Sequence, residues 1–120
     1  MVIYHSLPTD AESFERWVGI EVTSDVEILA FDLDRGPDFM SLNTCFKSSP
    51  STRDQLLQKL ALRESKITPP PNTCVDSNAT LHLAVPNLEQ ESVHGFSSWE
   101  QSLAHDPNTG RVFYVFEGVN

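Results

Sequence analysis

The side chains able to do chemistry in this sequence are few, and their spacing decides what they are for. The stretch "AHDPNTGRVFYVFEG" (104–118) sets His105 beside Asp106, Asn108 and Gly110. Oxygen ligands alternating in this way open a calcium loop, with His105 at hand as an acid or base. Pro107 fixes φ, and Asn108 and Gly110 tolerate positive φ, so the segment reads better as a hairpin turn. A second acidic set, Asp32, Asp34 and Asp38, lies in "DLDRGPDFMSLN" (32–43). An EF-hand loop has glycine at its sixth position and glutamate at its twelfth. Here glycine is fifth and asparagine twelfth, so these aspartates read as a solvated turn or a negative patch.

Nucleophilic chemistry has equally little local support. His5, His82, His94 and His105 occur singly, and there is no GxSxG, P-loop, GxGxxG or HExxH pattern. His82 and His105 fall in or beside strand-like segments, so the two could meet across a sheet. Cys45 or Cys74 with a histidine could form a nucleophile pair, but no motif accompanies either. Paired carboxylates could serve a glycosidase, though a chain this short shows no sugar-binding cleft. No catalytic residue, metal or cofactor is expected. The two cysteines have no metal-ligand spacing. They read either as one disulfide pinning a proline-rich loop to a strand, worth roughly 3–4 kcal/mol, or as two unrelated thiols. A disulfide would imply an oxidising compartment such as a periplasm.

The bulk numbers bound the rest. At 120 residues the chain is the length of a single domain (1–120), with 39% hydrophobic and 21% charged residues as in a folded protein. No apolar run is long enough to span a membrane, and "MVIYHSLPTD" (1–10) lacks the pattern of a signal peptide. The net charge of −9 is uneven: residues 1–46 carry nine acids and two bases, 47–66 five bases and two acids, 67–120 six acids and one base. Phosphate would be repelled over most of such a surface, so nucleic-acid binding is not expected. The acidity serves solubility or complements a basic protein partner.

The elements that would position these residues follow from periodicity. Thr9 and Glu12 form a capping box, Ala11, Phe14, Trp17 and Val18 share one face, and Gly19 stops this first helix. "DVEILAFDLD" (25–34) is apolar on both faces and reads as a central strand. After the turn "RGPD" (35–38), "FMSLNTCFK" (39–47) alternates cleanly, with Met40, Leu42, Thr44 and Phe46 on one face. A second helix is predicted over 49–66, started by Ser49 with Pro50 or by Ser51 with Asp54. Leu56, Leu57, Leu60 and Ala61 form its buried stripe, with Lys59, Arg63 and Lys66 as a basic ridge. "ITPPPNTCVDSN" (67–78) reads as a stiff polyproline crossover. "TLHLAVP" (80–86) is a strand with Leu81, Leu83 and Val85 inward and His82 outward. The segment 87–100 reads as a functional loop, in which Phe96 and Trp99 are either core anchors or exposed contacts, and a short strand near 101–105 and a long one over 111–117 close the chain. The expected fold is α+β: an antiparallel sheet of four or five strands with two helices packed on it.

"FERWVGIEVTSDVEILAFD" (14–32), "FKSSPSTRDQLLQKL" (46–60) and "GRVFYVFEG" (110–118) together resemble, in layout, small bacterial envelope domains of the lipoprotein type and immunity proteins of secreted toxin systems. The resemblance implies a binder and not an enzyme, and assigns no site residue. The expected function is therefore a non-catalytic binding protein, most concretely an immunity protein that neutralises a toxin or effector domain with a basic surface. The expected contacts are Asp32, Asp34 and Asp38 with Glu89, Glu91, Phe96 and Trp99 of the long loop. A structural envelope domain without a toxin partner is the alternative, and a small hydrolase using a Cys/His or His/Asp pair the next. The periplasm or cell envelope is favoured over the cytoplasm.

Overall fold

Strict alternation in Phe39–Lys47 makes this segment the organising strand of the sheet. In the computed structural model, which describes residues 10–69, 72–76, 78–84 and 94–120, it forms β2 (Phe39–Lys47). Met40, Leu42, Thr44 and Phe46 are all buried, as the alternation predicts. β2 pairs antiparallel with β1 (Glu27–Arg35) on one side and β6 (Arg111–Val119) on the other. β5 (Ser98–Asp106), β4 (Thr80–Ala84) and β3 (Arg63–Ser65) extend the sheet, giving the order β1-β2-β6-β5-β4-β3. With helices α1 (Asp10–Val18) and α2 (Pro50–Lys59), the architecture is α+β. Its six strands exceed the four or five expected.

Both helices contribute to one core on one face of the sheet, hereafter the helix face. Phe14 and Val18 of α1 and Leu56 of α2 pack with Met40, Leu42, Phe46, Leu103, Tyr114 and Phe116. The Phe14 ring stands edge-on to Phe46 at 5.0 Å. Gly19 ends α1 at φ +91°, its N–H donating to the Glu15 carbonyl at 3.1 Å. Thr9, read as the N-cap, lies outside the described residues. In α2 the cap is Ser49, whose Oγ accepts from the Thr52 N–H at 3.2 Å, and Pro50 follows at the first position. The Asp25 carboxylate accepts from the Thr52 and Ser49 hydroxyls, which hold its carboxyl below the ordinary aspartate value. The Lys59 ammonium at the other end of α2 donates to the Gly19 carbonyl, where the C-terminus of α1 favours a cation. The two ends of α2 thus grip the connection from α1 to β1.

Three expectations from periodicity are corrected. The second helix stops at Lys59, because Ala61 takes a left-handed conformation (φ 55°) and the chain turns back into β3. Pairing with β4 then satisfies the backbone of Arg63–Ser65 better than another helical turn would, so the basic ridge of Lys59, Arg63 and Lys66 does not form. β1 is an edge strand and not a central one. Its two apolar faces are reconciled by a register shift between Ile28 and Ala30, which brings Ile28, Phe31 and Leu33 together on the helix face. Leu29 is left 40% exposed, and the Thr44 hydroxyl donates to the Ala30 carbonyl at 2.7 Å. In β4 both faces are covered, so His82, expected outward, is buried as Leu81 is. His82 is buried on the helix face, whereas Leu81 and Leu83 point to the back; Val85 lies outside the described residues.

The back of the sheet holds a second, smaller core. Cys45 of β2 and Cys74 form a disulfide, with Cα atoms 5.7 Å apart. It draws the segment after β3 across the back of β4, β5 and β6, so that Cys74, Val75 and Ala79 pack on Leu81, Ala104 and Phe113. Of the two readings of the cysteines, the disulfide is the one realised, while Pro70, Pro71 and Ser77 of the crossover lie outside the described residues. The Asn72 carboxamide accepts from the N–H groups of Cys74 and Val75, each at 2.8 Å, which shapes the turn that presents the cysteine.

Candidate functional site

Strand register assembles the carboxylates. Asp34 pairs with Ser41, Ser41 with Glu117, and Glu117 with Glu100, so one row across four strands carries three acids on the back face. The neighbouring row runs Asp32, Asn43, Val115, Ser102, Leu83. Asp32, Asp34, Glu100 and Glu117 are exposed. Glu100 and Glu117 are direct cross-strand partners, about 5 Å apart at Cβ, an arrangement that costs stability. Among the described residues the only salt bridge is Arg53–Asp54, so none of these four is neutralised by a neighbour in that way. The bases Arg16 and Arg35 lie over the Trp17 ring at 4.9 and 4.8 Å instead. Asp38 sits in the exposed β1–β2 turn, its carbonyl accepting from the Asn120 N–H.

The disulfide-held loop roofs only half of this face. Beside it lies a cavity of about 400 Å³. Ile67 forms one wall, Leu83, Ser102 and Val115 the floor, and Glu100 and Glu117 the rim. The cavity is within the size range of ligand sites, about 300–1,000 Å³. Ile67, 66% exposed, is an apolar side chain with nothing over it among the described residues.

A second constellation lies on the helix face at the opposite end of the strands. The rings of His82 and His105 stack at 5.2 Å, so the contact across the sheet that the sequence allowed does form. Arg53 Nη1 lies 3.3 Å from His105 Nδ1 and Nη2 lies 3.1 Å from the Asp54 carboxylate. A guanidinium only donates, so His105 Nδ1 accepts and the ring is neutral. Burial lowers the pKa of both histidines; Arg53 and His82 push His105 further the same way, while Glu64, which faces His82 from β3, opposes the effect. The pair is thus two neutral imidazoles against an arginine. Among the described residues no group of three or more His, Cys, Asp or Glu is placed to hold a metal ion.

The other sequence-derived residues divide clearly. Asp32 and Asp34 are brought together with two acids that the sequence did not single out for contact, Glu100 and Glu117. Glu89 and Glu91 lie outside the described residues. Phe96 and Trp99, left open between core anchors and exposed contacts, are buried core residues, 9% and 2% exposed. Phe96 lies over Gly118, where a Cβ would come within 2.7 Å of its ring. Cys45 is bonded to Cys74, and Cys45 and Asp32 lie on the back face while His105 faces the helices, so His105 meets neither of them. The acids of β5 and β6 had one legible signal. In Arg111–Val119 the positions opposite the core run Phe113, Val115, Glu117, too apolar for a solvated face. Comparison with protein-family models, curated proteins and solved structures finds no match.

Proposed function

We propose that this chain is a non-catalytic binding protein that engages a basic protein surface through the open, acidic half of its sheet. In its most concrete form it is an immunity protein that neutralises a cognate bacterial toxin by direct binding. The observation that carries this reading is the row Asp34, Glu117 and Glu100, with Asp32 beside it, on a face whose backbone is already fixed by ladder hydrogen bonds. Like charges placed directly opposite one another oppose folding, so their use is sought in what they meet. A rigid acidic face speeds encounter with a basic partner and rejects acidic ones. The net charge of −9 acts in the same direction. The Cys45–Cys74 bond belongs to an oxidising compartment, which favours the cell envelope. The test is calorimetry of the whole chain against the product of the adjacent gene. The expected result is a dissociation constant below about 1 μM that weakens as salt is raised; no binding tighter than that removes the reading.

A further inference from the structure

We infer that the cavity under Ile67 is the anchor site for an extended peptide segment of the partner in which an arginine or lysine is flanked by aliphatic residues. The inference rests on the acidic-face reading and adds to it where, and by what chemistry, the partner is held. Acidity alone would fit any cation, but this cavity is not uniformly acidic. Its floor of Leu83 and Val115 and its wall of Ile67 offer apolar surface, and only its rim, Glu100 and Glu117, is charged. A long basic side chain has the same division, an aliphatic stem and a cationic head. Laid along Val115, it would bring its head to the two carboxylates, relieving their mutual repulsion and forming charge-assisted hydrogen bonds. The flanking aliphatic residues of the segment would cover Ile67 and Leu83. At about 400 Å³ the volume suits a short segment better than one side chain. Ser102, on the floor between Leu83 and Val115, adds a hydroxyl within the apolar surface.

The experiment is a nitrogen-15 NMR titration of the full chain with three hexapeptides: alternating leucine and arginine, alternating leucine and glutamate, and all arginine. The leucine–arginine peptide is expected to shift the amides of Leu83, Ser102, Val115 and Glu117 in a saturable way, and the leucine–glutamate peptide to leave them unmoved. All-arginine is expected to move the exposed acids, including Asp32 and Asp34, without saturating Leu83 and Val115. Two variants sharpen the result. Glu100→Gln with Glu117→Gln should weaken the leucine–arginine peptide about tenfold, the loss of two ion pairs. Val115→Lys should place a stem and an ammonium on the floor from within, abolishing peptide binding while the amide spectrum stays folded. Equal responses to both arginine peptides, confined to the acids, would overturn the anchor site and leave the acidic-face reading standing. No shift at Leu83 or Val115 with any peptide up to millimolar concentration would overturn it equally, because the broader reading is decided separately by calorimetry with the adjacent gene product.

Discussion

Near the disulfide the back of the sheet presents Leu81, Ala104 and Phe113 beneath a loop, whereas two residues along the same strands it presents Leu83, Ser102 and Val115, and two further along Glu100 and Glu117. Three rows, one pleat and one set of strands therefore pass from apolar to mixed to acidic within about 14 Å, at roughly 3.4 Å per residue. The helix face of the same strands changes far less, since Val112, Tyr114 and Phe116 are all buried. Alternation decides which residues point backwards. What they are made of follows from how far the crossover loop reaches, and that reach is set by one covalent bond.

Removing that bond is the strongest way to collapse the difference. Cys45→Ala with Cys74→Ala should cost about 3–4 kcal/mol, for a loop closed between positions 29 apart, read as a lower midpoint in urea. The contrast sharpens if Phe113→Ala, under the loop, loses more stability than Val115→Ala, on the open half. Equal losses would mean that the roof does not distinguish the two halves.

Acidification should act on the helix face. His82, His94 and His105 all have pKa values lowered by burial. Above their ordinary value of 6.5 all three are neutral whether folded or unfolded, and their contribution is fully present. As the pH falls below 6.5 the unfolded chain takes up protons first, so stability declines until the folded-state values are passed. A thermal melt series from pH 7.5 to 5.5 should show Tm falling, and His82→Leu should flatten the slope. A flat profile for the unaltered protein would remove the buried-imidazole account.

The smallest effect has the opposite sign. Glu100→Gln or Glu117→Gln should raise stability by about 0.2–1 kcal/mol, by ending a like-charge cross-strand contact. Urea titration at low salt measures it. A loss instead would mean that the carboxylates serve the fold and not a partner.

How much of this the residues disclose depends on how far each signal travels. β2 was legible because nine alternating residues meet one core on one side, and the Asp106–Gly110 turn because its chemistry is local: Asp106 Oδ1 accepts from the Asn108 N–H, and Gly110 takes φ +75°. The end of α2 was not, because helix propensity through Arg63 is overridden by β4, which lies well away in sequence. His82 in β4 was expected outward because alternation assumes one side meets solvent, whereas here both sides hold a core. The site was half legible for the same reason. Asp32 and Asp34 announce themselves in a charged turn, but only register reveals that they share a face with Glu117 and Glu100, and Trp99, read as a contact, is buried beside Gly118.

The place of β6 has a consequence in time. It is the last of the elements to be made, yet it lies between β2 and β5, and its partners on one side reach back to Phe39–Lys47. The edge of β2 that β6 pairs with, and the edge of β5, must therefore wait unpaired until residues 111–119 have been synthesised. Such long-range closure gives a high contact order and slow folding. The strand that closes the sheet is thus the last to exist, so the two halves beside it are joined only when nearly the whole chain has been made.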